Sequence, residues 1–137
     1  MFRRSFACLL LVLAGTASSY AAPHSGLAPA DEYFGRMKMS ILEIRNRLHD
    51  AAIRVGSDPA HADAQLGSFR WLEDAIEDWG NKYPQDTWLP GTMVALDRLY
   101  ARLHSAGAHA QQARILAWVH RHYAGSSFER AVRVAVR

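Results

Sequence analysis

From Phe34 onward, apolar side chains fall at Phe34, Met37, Ile41, Ile44, Leu48, Ala51 and Val55, in alternating steps of three and four. A strand buries every second residue, so spacing of this kind, sustained over this length, selects a helix with one apolar stripe. Asp31 is a candidate N-cap, and Glu32 lies in the first turn, where negative charge meets the positive end of the helix dipole. Glu32/Arg36, Glu43/Arg47 and Asp50/Arg54 add acid-to-base pairs at i,i+4, and Gly56 supplies a stop. A first helix is predicted over residues 31–55.

The pattern then repeats with its own punctuation. Asp58 and Pro59 form a start signal, and Leu66, Phe69, Leu72, Ile76, Trp79 and Tyr83 mark the stripe of a second helix. Pro84 ends it, because proline disfavours helical geometry in the residue before it. Asp86 or Thr87 caps a third helix to about Ser105, with Leu89, Met93, Leu96, Leu99, Tyr100 and Leu103 inward. Pro90 is tolerated there because it sits in the first turn, where its missing N–H has no helical partner. "SAGAH" reads as a turn centred on Gly107. A fourth helix follows, with Ala110, Ala113, Ile115, Leu116, Val119 and Tyr123 apolar. Gly125 stops it, and Ser126 or Ser127 caps a short last helix. "VRVAV" alternates, but it is short and continuous with a helical pattern, so no strand is predicted. The expected fold is all-α: two antiparallel helical hairpins and a short C-terminal capping helix.

The N-terminal residues have a different character. Arg3 and Arg4 precede the apolar run "SFACLLLVLAGTA", and "SSYAAPHSG" places the small residues Ser19 and Ala21 at −3 and −1 of a cut after Ala21. That is the anatomy of a cleavable secretory signal over residues 1–21. The apolar run falls short of the roughly 20 residues a membrane span needs. Residues 22–30, "APHSGLAPA", read as a flexible leader, which leaves 31–137 as one helical domain. The expected location is the periplasm, with secretion as the variant, and no stable membrane insertion after cleavage. Cys8, the lone cysteine, lies inside the signal. The mature chain therefore excludes disulfides, thiol nucleophiles, CxxCH haem attachment and cysteine-ligated zinc.

Loss of Arg3 and Arg4 lowers the formal charge from +3 to +1, which with export disfavours a nucleic-acid partner. The remaining charge is uneven. Residues 31–97 carry twelve acids against seven bases, whereas residues 98–137 carry seven arginines against Glu129 alone. Three arrangements satisfy such an asymmetry: head-to-tail self-association, a basic face for an acidic partner, or neutralisation between neighbouring helices.

The hairpins also resemble one another. "RLHDAA" at 47–52 recurs as "RLHSAG" at 102–107, "AHADAQ" at 60–65 as "AHAQQA" at 108–113, and Tyr83 as Tyr123. Matches in the same order along the chain point to duplication of a hairpin unit. From Trp88 to Phe128 the chain resembles a tetratricopeptide-type repeat of exported bacterial proteins. The resemblance rests on Leu96 and Tyr100 four apart, Gly107, Ala113, and then an aromatic followed by a small polar cap. "YPQD" at 83–86 is similar to the corner between such repeats in cell-envelope proteins. The chain departs from the pattern in its long first helices, in Pro90, and in "HYAGSS" for "HYPxS". The resemblance implies stacked α-hairpins, a TPR-like α-solenoid fragment, whose concave face holds a protein or peptide partner. It implies no catalytic residue, and no cofactor is expected.

No motif in the chain supplies an enzyme. The serines lie in no GxSxG or SxxK setting, and no glycine-rich phosphate loop occurs. Glu73/Glu77 and Asp74/Asp78 are paired carboxylates at i,i+4, read as a solvated acidic face, with acid–base chemistry as the rival. His120 and His122 are two apart and point away from each other on a helix. His49, His61, His104 and His109 converge only if the hairpins stack, and they define the alternative function, a zinc- or copper-binding periplasmic protein. Arg130, Arg133 and Arg137 share one face of the last helix. Trp71 and Trp88 fit the buried stripes less well than Trp79, Tyr83, Tyr100 and Tyr123. These three arginines and two tryptophans are the candidate partner-binding residues of an interaction or scaffold module without catalysis.

Overall fold

The structure is a computed structural model that describes residues 26–130. The expected signal segment 1–21, residues 22–25 of the expected leader, and Arg133 and Arg137 lie outside the described residues. Helix α1 spans Ile41–Ser57, a 3₁₀ segment Pro59–Gln65, α2 Leu66–Lys82, α3 Leu89–Tyr100 and α4 Ala106–Tyr123. Residues 127–130 are again helical, and the described residues contain no strand. The all-α expectation holds, with several boundaries moved for identifiable reasons.

The first helix begins ten residues later than the stripe predicts. Ser40, not Asp31, is its cap, and the Ser40 hydroxyl accepts the Glu43 N–H at 3.2 Å. Residues 34–39 form a tight turn in which Phe34 and Met39 exchange both backbone hydrogen bonds, at 2.9 and 3.0 Å. Gly35 at φ +67° and Lys38 at φ +52° turn the chain out of the helical region. Phe34 and Met39 are thereby buried, while Met37 is exposed. The segment is fastened to α2 by the predicted acids: Asp78 accepts the Gly35 N–H at 2.9 Å, and Asp74 accepts the Arg36 N–H at 2.8 Å. Glu32 accordingly pairs with Lys82 instead of Arg36.

The remaining shifts are smaller. Gly56 lies inside the last turn of α1, which ends at Ser57. Asp58 makes no side-chain cap, because its carboxylate holds the His61 ring at 3.0 Å, and the chain runs through the 3₁₀ segment before α2 starts at Leu66. Helix α3 ends at Tyr100 instead of near Ser105, although Leu103 stays buried in the following turn. Gly107 belongs to the first turn of α4, where the Ser105 hydroxyl accepts the Ala108 N–H at 3.3 Å. On α4 the stripe rotates: Ala110 and Ala113 are exposed, and Ala108 and Trp118 are buried beside Ile115 and Val119.

The core joins all four helices. Ile44, Leu48, Ala51 and Val55 of α1 and Phe69, Leu72, Ile76 and Trp79 of α2 are buried, as their spacing predicts. So are Leu89, Met93, Leu96, Leu99 and Tyr100 of α3. Helix α1 packs on α2, α3 packs on both, and α4 packs on α3. The Phe34 ring stacks on Trp79 and Phe69 meets Tyr100 edge-on, each with centroids 5.8 Å apart. Helices α1 and α3 run in the same direction: Arg45 sits over Trp88 at the start of α3, and Arg102 beyond its end donates to the Ala52 carbonyl at 3.4 Å.

Candidate functional site

Two helices that run side by side leave a furrow where their side chains are short. Between α1 and α3 this furrow is a cavity of about 630 Å³. Helix α1 contributes Arg45, Leu48, His49 and Ala52 to its wall, and these fall on one face at helical spacing. From the other side come Trp88, Gly91, Ala95, Leu99 and, one turn apart, Arg98 and Arg102. The furrow is open at Gly91, where a Cβ added to the backbone meets nothing within 4 Å. The floor is apolar, made by the buried Leu48 and Leu99 with the small Ala52 and Ala95 between them.

Trp88 closes one end. It is 51 % exposed, and the Arg45 guanidinium lies over its ring at 4.1 Å. Its position is set from below by Asp86, which is 2 % exposed. One Asp86 oxygen accepts the Trp88 N–H at 2.9 Å, and the other accepts the Ala28 N–H at 2.9 Å and the Trp79 indole N–H at 3.1 Å. Asp86 thus ties the leader, α2 and the start of α3 together, which is more than the helix cap its sequence position predicts. A second hollow of about 250 Å³ continues past Trp88 and Arg45 to Leu27, Ile41 and Leu42.

No Asp or Glu lines the larger furrow, whereas Arg45, His49, Arg98 and Arg102 do. None of these arginines forms an ion pair with any of the carboxylates among the described residues. The chain's thirteen acids all fall between Asp31 and Glu129, inside that range. Arg45, Arg98 and Arg102 were not singled out by their sequence. Their signal is the i,i+4 pairing of Arg45 with His49 and of Arg98 with Arg102, each beside a buried leucine, and it becomes a site only when α1 and α3 lie side by side.

The other sequence candidates are placed elsewhere. Trp71 is 42 % exposed on α2, with the Arg36 guanidinium 5.1 Å over its ring, and does not line the furrow. Arg130 donates to the Gly125 carbonyl at 3.0 Å. The four histidines of the metal reading do not assemble: among the described residues no three His, Cys, Asp or Glu side chains are placed to hold a metal ion. His61 is taken by Asp58, His49 faces the furrow, and His104 donates its backbone N–H to Asp63 at 3.1 Å.

The acidic face predicted on α2 is solvated only in part: Asp74, Glu77 and Asp78 are half-buried and Glu73 is buried. Glu73 is 4 % exposed; it accepts the Tyr100 hydroxyl at 3.0 Å and lies 3.3 Å from the Arg114 guanidinium, which also reaches Glu77 at 3.5 Å. Two acid-to-base contacts between the acidic and basic parts of the chain are therefore made inside the molecule, both by Arg114. Burial pushes the Glu73 carboxyl above its usual range, against the hydrogen bond from Tyr100 and the charge of Arg114. Asp97 on α3 is fully buried and also raised by burial, with one oxygen held by Gln112 at 3.1 Å and the other without a hydrogen-bond partner among the described residues. Neither raised carboxyl borders the furrow. No helix among the described residues is long and apolar enough to cross a membrane. Compared with protein-family models, curated proteins and solved structures, the chain finds no match.

Proposed function

We propose that this chain is an exported protein-interaction module of the cell envelope, built as a TPR-like pair of stacked helical hairpins and acting without catalysis. The observation that carries the reading is the open furrow between the parallel helices α1 and α3, with an exposed tryptophan at its end. In stacked hairpins the first helices of successive units form the inner wall, and an extended concave surface is where such arrays hold their partners. The packing of α3 on both α1 and α2 supports that arrangement. So does the contact between corners, where the Tyr123 hydroxyl donates to the Pro84 carbonyl at 2.8 Å. Trp88 has the character of a binding anchor: a large amphipathic ring held by its backbone, with one face open.

A photo-crosslinking amino acid at Ala95, within the furrow, tests this in cells that export the full chain. The expected result is a discrete adduct with an envelope protein, lost when Trp88 is changed to alanine and absent when the crosslinker stands at Ser68 on α2. Equal adducts from both positions, or none from Ala95, would overturn the furrow as the binding face.

A further inference from the structure

We infer that the occupant of the α1–α3 furrow is an extended peptide segment of the pattern acidic–x–apolar–x–acidic, bound by its side-chain carboxylates. The inference rests on the interaction reading above and adds the chemistry of the partner. Three arginines without a carboxylate partner among the described residues line a cavity with an apolar floor, and that is a charge complement waiting to be met. The Arg45 guanidinium lies over the Trp88 ring and makes no hydrogen bond or ion pair among the described residues, which leaves its N–H groups to donate to a carboxylate.

The placement of the charges sets the pattern. Arg45 stands at Trp88 and Arg98 stands ten residues further along α3, roughly 15 Å away at the helical rise. One carboxylate cannot reach both, so a lone C-terminal carboxylate does not satisfy the site. In an extended chain, residues i and i+4 share a face about 13 Å apart, and i+2 lies between them on the same side. Two acids so spaced meet Arg45 at one end and Arg98 with Arg102 at the other, and the middle side chain falls on the apolar floor at Leu48 and Ala95.

The chain itself offers no such occupant. Residues 1–25 and 131–137 contain no Asp or Glu. In a second copy, Asp31 and Asp50 are the acids with neither a hydrogen bond nor an ion pair among the described residues, and they sit on different segments. An acidic segment of another protein is the complement that remains.

The test uses the full exported chain and three peptides with blocked ends. One carries Glu–Ser–Leu–Ser–Glu, the second replaces both Glu by Gln, and the third replaces both by Lys. A fourth probe is the Gln peptide with a free C-terminal carboxylate. Binding is followed by backbone amide shifts in NMR. The acidic peptide is expected to move the Leu48, Ala95 and Leu99 signals and to bind at least about tenfold more tightly than the Gln peptide, since each charge-assisted contact is worth on the order of tenfold. Its affinity falls as salt rises from about 0.05 to about 0.3 M. Arg98→Ala with Arg102→Ala loses about tenfold or more, whereas Arg70→Ala, outside the furrow, is unchanged. Equal binding of the Gln or Lys peptide, stronger binding of the free-carboxylate probe, or indifference to the double substitution overturns the inference. So does a dimer, seen by sedimentation, that the double substitution dissolves. A neutral peptide that shifts the same signals with equal affinity would refute the acidic occupant and leave the interaction reading standing; no adduct from Ala95 in cells would refute that reading itself.

Discussion

Asp86 is the residue whose removal the structure makes most costly for its size. It is buried, and its two oxygens accept three N–H groups from three separate segments: Ala28, the Trp79 indole and Trp88. In Asp86→Ala the Trp79 indole, on a ring that is 0 % exposed, is left without an acceptor, which costs about 1–3 kcal/mol. The Trp88 N–H loses an acceptor of the capping kind, about 1 kcal/mol, and the part-buried Ala28 N–H about 0.5–1 kcal/mol after rehydration. Relief from desolvating the charge offsets part of this, so the net loss is about 3 kcal/mol. For a domain of this size that lowers the midpoint by about 12–20 °C. Asp86→Asn separates charge and geometry from mere bulk. Its one oxygen can serve Ala28 and Trp79, but its amide then faces the Trp88 N–H donor to donor, a loss of about 1–2 kcal/mol. Chemical denaturation followed by circular dichroism ranks the three proteins, with wild type first and alanine last. If alanine falls within about 1 kcal/mol of wild type, Asp86 does not organise the corner, and the reasoning about how Trp88 is positioned goes with it.

Three further outcomes are expected. In Gly80→Ala the new Cβ comes to 2.7 Å from the Trp118 ring; overpacking outweighs the gain in helix propensity, leaving a loss of about 1–2 kcal/mol by denaturant titration. Gly35→Ala combines a left-handed backbone at φ +67° with a Cβ 2.8 Å from the Ala75 Cα, and loses about 2–4 kcal/mol together with the docking of residues 34–39, read by hydrogen exchange at Gly35 and Arg36. Burial raises the folded-state carboxyl of Asp97, so between its unfolded and folded values the native state binds more protons than the unfolded chain. Its contribution is fully present below the unfolded value and is lost as pH rises through the folded one. Stability of wild type relative to Asp97→Asn should therefore fall with rising pH across that window, and a difference that rises with pH would contradict the burial argument.

What could be read from the residues, and what could not, follows the range of the forces involved. The stripes of α1, α2 and α3 were legible because helical periodicity is local, and Leu48, Phe69, Trp79, Leu96 and Tyr100 are buried where their spacing puts them. Residues 34–39 misled because Phe34 and Met37 keep the helical interval, while the turn depends on Gly35 meeting Ala75 and on Asp74 and Asp78 accepting its N–H groups some forty residues away. Trp118 escaped for a similar reason: its place in the core exists because Gly80 on another helix has no side chain.

By itself, the sequence determined the helical class, the stripes that make a core, and a stretch from residue 9 to residue 137 without cysteine. Those properties depend on neighbours within one or two turns or on composition, and need no partner across the fold. The tertiary structure alone decided which charges are spent and which remain. It buried Glu73 against Tyr100 and Arg114, set Asp86 under Trp88, and left Arg45, Arg98 and Arg102 facing an apolar furrow with no carboxylate. Charge is satisfied by proximity in space, and only the packing of α3 against α1 brings those three arginines onto one wall.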